Sequence, residues 1–385
     1  MAATIESIPL VMSSSTQHIP SLDGIRAAAV AIVFMAHAGL DHIIPGGFGV
    51  TVFFFLSGFL ITSLLRQEYD REGKIHLKRF YLRRIIRIWP PMYLSLAVVL
   101  VLCILNVVEF ANPFNEAFLF QSIHVGNYQQ IYGQSAGMPG TSVLWSLAVE
   151  EHFYLFWPPV FCLLYSRWSP RGLSTLLWGM CLAVLVWRWV LVEYWHVSEW
   201  RTYAATDTRI DSIMFGCILA LSSNPFQKTF WSPSRVQYIG WLCASGILLA
   251  AAFAIRNPVF RETLRYTVQG VALIPLFYLA VSQPGNLLFR WLNWPGVRFI
   301  GVLSYSIYLS HFVILHVLTR THEGHSLLVA CLAGTVTIAY AVFIHYVVER
   351  PLHEVRKKLR GDSVSPFELP DRDFSSMSNS TAMTG

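Results

Sequence analysis

Long apolar stretches, broken by short polar and basic segments, repeat along most of this chain. Residues 48–65 run for eighteen positions without a charged side chain, and stretches like it recur up to Tyr346. Each approaches the roughly 20 residues that an α-helix needs to cross a bilayer core. A segment in lipid must satisfy its own backbone hydrogen bonds, so runs of this length are expected to be helical. The pattern predicts an all-α polytopic membrane protein with about ten transmembrane helices around a polar central cavity. The expected spans begin near Ala27, Phe48, Trp89, Leu147, Leu173, Arg209, Val236, Arg265, Arg298 and Ser326.

Composition supports that pattern. Of 385 residues, 54% are hydrophobic and 13% charged, too little polar surface to cover a soluble globule. The net charge of +6 is spread loop by loop between the spans, so it points to membrane topology and no nucleic-acid partner is expected. About twenty-one of the 28 Lys and Arg residues fall in the two tails and the loops on their side, and about seven on the other. The positive-inside rule therefore places both termini in the cytoplasm. The expected organisation is a cytoplasmic N-terminal tail (1–20), a transmembrane domain (21–352) and a cytoplasmic C-terminal tail (353–385). That last tail is basic at Arg356-Lys357-Lys358 and Arg360, then Ser/Thr-rich and disordered from Gly361. The first twenty residues lack the basic and compact apolar regions of a signal peptide, so none is expected.

The outward segment 107–143 contains no Lys or Arg and is rich in Asn, Gln, Gly and aromatics. It reads as a lid or ligand-contact surface, or as an inert connector. The six cysteines (Cys103, Cys162, Cys181, Cys217, Cys243 and Cys331) stand singly in apolar runs, so neither a metal site nor a disulfide framework is expected.

Several ionisable residues interrupt the apolar runs. Arg26 opens the first span and His37 lies eleven positions on, roughly 16 Å along a helix. An imidazole at that depth is a functional candidate, although a His at the outer end of a short span would look the same. Trp145-Ser146-Leu147-Ala148-Val149-Glu150-Glu151-His152 opens another span. Adjacent carboxylates cannot share a helix face, so one could orient an imidazole while Ser146 caps the helix. Lys78, Arg79, Arg83, Arg84 and Arg87 stand without an acid among them before Pro90-Pro91, which reads as a hard stop. If helical, Arg84 and Arg87 share a face with Arg83 beside them. Their guanidinium forks suit the phosphates of coenzyme A, and lipid headgroups would attract the same charges. Arg209 and Asp211 form a possible i, i+2 ion pair, Tyr305 and His311 lie within a later span, and Glu349-Arg350-Pro351 closes the last one.

Taken in order, SLDGIRAAAVAIVFMAH (21–37), GGFGVTVFFFLSGFLIT (46–62), FYLRRIIRIWPPMY (80–93), LWSLAVEEHFYLFWP (144–158), RIDSIMFG (209–216), SYSIYLSH (304–311) and VERP (348–351) resemble the acyltransferase-3 family of integral membrane O-acyltransferases. The resemblance covers residues 21–352. Asp-Gly-Leu-Arg-Gly, usual in the family, becomes Asp23-Gly24-Ile25-Arg26-Ala27, and the Gln common after the paired acids is His152.

The resemblance implies that acyl-coenzyme A, most commonly acetyl-CoA, binds from the cytoplasm and that its acyl group reaches an acceptor hydroxyl on the outer side. It assigns the deep histidine to His37, the Arg-x-x-Arg pair to Arg84 and Arg87, and the acidic position to Glu150. On that basis His37 is the expected general base, held by Glu150, with Arg26 balancing charge near the thiolate. Arg84, Arg87 and neighbouring Arg83 would hold the nucleotide end. Asp23, Trp145, Ser146, Glu151, Arg209, Asp211, Tyr305 and His311 are expected to bind substrate or to be polar and structural. The thioester is already activated, so no metal or resident cofactor is required. The expected acceptor is an envelope or exported carbohydrate or glycolipid, and the expected location the bacterial inner membrane. Two rivals remain: a transporter using His37, Glu150, Arg209 and Asp211 as its path, and an O-acyltransferase with a lipid or peptide acceptor. Oligomeric state is left open.

Overall fold

Apolar side chains cannot drive helices together inside lipid, so close backbone packing and buried polar contacts must hold such a bundle. Both are prominent in the computed structural model, which describes residues 19–108, 116–133, 137–223, 233–321 and 326–358. Among these residues the secondary structure is entirely helical. The helices are α1 (Pro20–Met35), α2 (Gly46–Glu72), α3 (Leu77–Ile104), α4 (Glu116–Ser122), α5 (Gly126–Tyr132), α6 (Trp145–Tyr165), α7 (Pro170–Glu193), α8 (Glu199–Ala204), α9 (Thr206–Ser222), α10 (Arg235–Ala254), α11 (Pro258–Glu262), α12 (Leu264–Ser282), α13 (Pro295–Thr321), α14 (Leu327–Ile344) and α15 (Arg350–Lys358). Widened π-helical turns extend α1 over Ala36–Leu40 and join α14 to α15 over His345–Glu349.

Each expected span has a helix at its place. Among the described residues eight helical segments are long and apolar enough to cross a membrane. Of the other two, α9 has 17 residues and is almost wholly buried, while α6 carries Glu150, Glu151 and His152 in its first turns. The largest departure is α3, which starts at Leu77 and takes the basic cluster into the helix. Pro90-Pro91 lies inside α3 and does not stop it. Prolines are tolerated within membrane helices that pack in a bundle, and next to the carbonyls they free, Tyr305 on α13 donates its hydroxyl to the Ile88 carbonyl at 2.7 Å. The tails 1–18 and 359–385 lie outside the described residues. Of the cysteines, Cys103, Cys181 and Cys217 are buried, whereas Cys243 and Cys331 are exposed.

Two packed pairs position the candidate site. The α2 and α9 backbones touch at Gly58 and Gly216, where an added Cβ would collide with the Ile213 and Phe55 carbonyl oxygens. Arg66 then binds the Ala220 and Leu221 carbonyls at the far end of α9, so the two helices run parallel. α6 follows the same direction along α2, through Ser57 with Tyr154, Thr62 with Trp157, and Asp70 with Tyr165. α1 and α13 also run parallel: Gly301 meets the Asp23 backbone near their starts, and His311 meets His37 just beyond the C-terminal end of α1.

Candidate functional site

Two imidazoles that are 274 positions apart in sequence meet where α1 gives way to its widened turn. His37 Nδ1 lies 2.9 Å from His311 Nε2. The rings stack at a centroid distance of 5.1 Å and an angle of 26°, with Phe312 packing 4.7 Å from His37. Two residues after His37, Gly39 adopts φ 104°, a left-handed conformation that glycine supplies without strain. His311 is fully buried, and its Nδ1 is 2.8 Å from the Tyr308 carbonyl and 3.2 Å from that of Ile307.

These contacts fix the protons of a neutral pair. A carbonyl can only accept, so His311 Nδ1 carries hydrogen and its Nε2 is the acceptor. His37 Nδ1 must then donate, which leaves a lone pair on His37 Nε2. This arrangement can take a proton from a hydroxyl, as the middle imidazole of a nucleophilic triad does.

Glu150 has other partners. Its carboxylate accepts from the Tyr154 hydroxyl at 3.2 Å, and that hydroxyl also makes a short contact with Ser57. The Arg84 guanidinium lies 4.9 Å over the Tyr154 ring and within electrostatic reach of Glu150, Glu151 and Arg87. Arg26 binds Asp23 at 2.6 Å, within reach of Arg87 and Tyr154. Asp23, Arg26, Ser57, Arg84, Arg87, Glu150 and Tyr154 thus form one polar cluster at the α1 end opposite His37. The three expected phosphate ligands diverge: Arg83 pairs with Glu68 at 3.4 Å, Arg84 turns inward and Arg87 stays exposed. Only Arg87 is presented openly to a ligand, with Arg84 behind it.

The α13 residues link the two centres. Tyr305 faces Glu150 and Glu151 electrostatically. Ser306 donates to Glu349 at 2.7 Å, which docks the end of α14 on α13. Tyr308 meets Ser146 at 2.6 Å and donates to the Val143 carbonyl at 2.9 Å. Ser146 therefore serves α13 and is no N-cap; the cap position of α6 is Leu144 and makes no side-chain bond.

Arg209 and Asp211 do not pair, because residues two apart leave a helix on different sides. Asp211 instead binds Arg188 of α7 at 2.7 Å with both side chains fully buried. Arg209 lies 4.0 Å from the Tyr266 ring centre and 5.5 Å from those of Phe54, Trp145 and Tyr203, and donates to Thr51 and the Tyr203 carbonyl. Trp145 is thus a wall of an aromatic cage. Sequence reasoning missed Arg188, although a single Arg within an apolar run is a signal that a buried acid must answer it. It also missed Tyr154, one helical turn after Glu150, and Tyr308, one turn before His311.

The segment 107–143 forms α4 and α5, with residues 109–115 and 134–136 outside the described set. Tyr93 of α3 donates to the Ser122 carbonyl at 2.9 Å, and Asn127 donates to the Ala204 carbonyl at 3.2 Å, so this segment packs into the bundle. His124 sits at φ 60° with its ring 5.9 Å from Trp89. Burial, reinforced by nearby His152, pushes its imidazole down to about 4 and keeps it neutral at physiological pH. Among the described residues no cluster of three or more His, Cys, Asp or Glu could hold a metal ion.

The model of a family described as an acyltransferase domain matches residues 19–346. The peptidoglycan O-acetyltransferase OatA of Listeria monocytogenes is 31% identical over 323 residues, covering 80% of this chain and 51% of that protein. An O-acetyltransferase OatA of Staphylococcus aureus is 31% identical over 309 residues, covering 78% and 51% respectively. This chain therefore spans about half the length of these curated relatives. No solved structure matches it. Since the family model extends from the first turn of α1 to the end of α14, the chain belongs to the acyltransferase-3 family.

Proposed function

We propose that this protein is a membrane O-acetyltransferase that moves an acetyl group from acetyl-CoA on the cytoplasmic side to a hydroxyl of a cell-wall carbohydrate on the outer side. The observation that carries this reading is the His37–His311 pair, whose proton order leaves His37 Nε2 free to act as the base. The acceptor hydroxyl attacks the thioester carbonyl and gives its proton to His37 Nε2. The new C–O bond forms, the C–S bond breaks, and the thiolate takes the proton from the imidazolium to leave as free coenzyme A. General base catalysis of this kind contributes about 10²–10⁴-fold.

Arg87 and Arg84 hold the nucleotide phosphates, and Arg26 offsets charge along the path to His37. Glu150 acts on Tyr154 and the arginines, while His311 holds the base. A carbohydrate acceptor is favoured because relatives named peptidoglycan O-acetyltransferase and O-acetyltransferase share most of this chain's length. The same reading takes α6 and α9 as spans, because both run beside and parallel to α2, and so gives ten spans with both termini in the cytoplasm of a bacterial inner membrane.

The test uses membranes containing the protein, labelled acetyl-CoA and peptidoglycan fragments. Acetyl ester and free coenzyme A should appear in equal amounts, and His37→Ala should abolish both while expression persists. Solute movement without acetyl-CoA consumption would overturn the reading in favour of a transporter.

A further inference from the structure

Past the bond from Tyr305 to Ile88, a groove opens between α3 from Ser95 to Leu102, α13 from Leu309 to Leu318, and α14 at Val336 and Tyr340. It holds about 620 Å³ of empty space. Its floor is buried at Val99, Leu309 and Val313, and its rim is exposed at Val98 and Val336. At one end the Ser95 and Tyr340 hydroxyls meet at 3.4 Å. Further along, Val99, Cys103, Ala117, Met138 and Val313 pack as one cluster. There the Gly140 backbone is wedged against α13, where an added Cβ would come within 2.6 Å of the Val313 Cα. The groove is thus built into the packing and cannot close without breaking these contacts.

No charged residue lines it, and its three hydroxyls are already engaged: Ser95 with Tyr340, and Ser310 with the Ser306 carbonyl at 2.8 Å. What remains to face the space is C–H. Water finds no partners in such a cavity and stays out of it, while an unfilled groove forfeits the dispersion contacts of its lining. The rim continues into the exposed apolar side chains of Val101, Ile104 and Leu332, so the groove opens onto the surface that a bilayer covers. Its nine-residue length along α13, ~13.5 Å, is close to half of a ~30 Å hydrocarbon core. Leu309 stands ~16.5 Å along the helix from Arg298, which puts the groove in the half of the membrane where α13 ends.

We propose that this groove binds one hydrocarbon chain of a bilayer phospholipid, taken from the leaflet at the C-terminal end of α13. The chain lies along Leu309 to Leu318 with its headgroup at the Leu318 end. It fills the space that the wedge at Gly140 holds open, and it braces the turns of α13 on either side of His311. A phospholipid fits better than a lipid-anchored acceptor, whose first sugar would stand ~10 Å along α13 from His311.

The test uses the full chain in nanodiscs that contain a trace of phosphatidylcholine with a diazirine midway along one chain. After irradiation, mass spectrometry maps the adducts. They should concentrate on 95–102, 309–318 and 336–340 at about fivefold the yield on the exposed apolar face of α10 around Ile247, a preference of about 1 kcal/mol over bulk lipid. Val336→Trp fills the groove from the α14 side and Val98→Trp from the α3 side. Each should bring the groove down to the α10 level, with α10 labelling and the thermal unfolding midpoint unchanged. Equal yields on groove and α10 in the wild type would mean ordinary boundary lipid and overturn the site, as would an excess that survives both Trp variants. Loss of the excess on adding equimolar polyprenyl phosphate reassigns the groove to a prenyl carrier, and loss on adding palmitoyl-CoA reassigns it to a donor's acyl chain; either result overturns the phospholipid assignment.

Discussion

His311 donates its Nδ1 proton to the carbonyl of Tyr308, one helical turn before it on α13, at 2.8 Å. A main-chain carbonyl has no protonation state to change at neutral pH, so this bond fixes the His311 tautomer more firmly than a titratable partner could. On the proposed mechanism His311 is therefore a positioning residue for His37.

Replacing it separates that role from packing. His311→Phe removes the acceptor for His37 Nδ1–H and should lower kcat by about 10²-fold with the acetyl-CoA KM unchanged. His311→Gln offers an amide oxygen at a similar reach and should restore part of the loss. Steady-state kinetics in nanodiscs will decide this, and a Phe variant with wild-type kcat removes His311 from the mechanism.

Arg87 is exposed whereas Arg84 packs over Tyr154, so the two should respond differently to truncation. Arg87→Ala should raise the acetyl-CoA KM by about tenfold with little change in kcat, as loss of a charge-assisted contact to phosphate requires. Arg84→Ala should also lower expression, because it removes the guanidinium that packs over Tyr154 and faces the paired acids. Substrate titration on matched amounts of protein separates the two outcomes; equal effects on kcat and KM at Arg87 would contradict a purely anchoring role.

Arg188 and Asp211 are both fully buried and carry opposite charges. Arg188→Met strands the Asp211 carboxylate and should cost about 3–5 kcal/mol, while Arg188→Met with Asp211→Leu should recover most of it. Thermal unfolding in a fixed detergent measures both. A double variant no more stable than the single one would mean that Thr208 and Thr267, the other Arg188 partners, dominate.

His124 predicts an acid-sensitive fold. Burial and His152 hold its imidazole down at about 4, whereas the unfolded chain titrates near 6.5. Below about pH 6.5 the unfolded state takes up a proton that the folded state refuses, so stability is highest above that value and falls as pH drops toward 4. The loss approaches about 3 kcal/mol at the bottom of the window. His124→Asn should lose less stability than the wild type between pH 7 and 5. Identical pH dependence in the two proteins would remove His124 as the cause.

The helices were legible in the sequence because apolar runs near 20 residues have few other uses. The basic stretch before Trp89 was harder to read, since polar residues and Pro-Pro both argue against a continuing helix that only tertiary contacts sustain. His37 and His311 could each be singled out as ionisable groups in lipid. Their pairing could not, because it depends on α1 and α13 lying side by side. The same holds for Asp211, whose partner lies on α7 and not two residues away.

The two prolines within α3 remove two successive rungs from its ladder, those that would have reached back to Ile86 and Arg87. On one side of this gap lies the half that bears Lys78 to Arg87; on the other, Tyr93 ties α3 to Ser122. A rod missing two adjacent braces bends most easily at that point. The half that bears Lys78 to Arg87 can therefore tilt without dragging the half tied to Ser122 along with it.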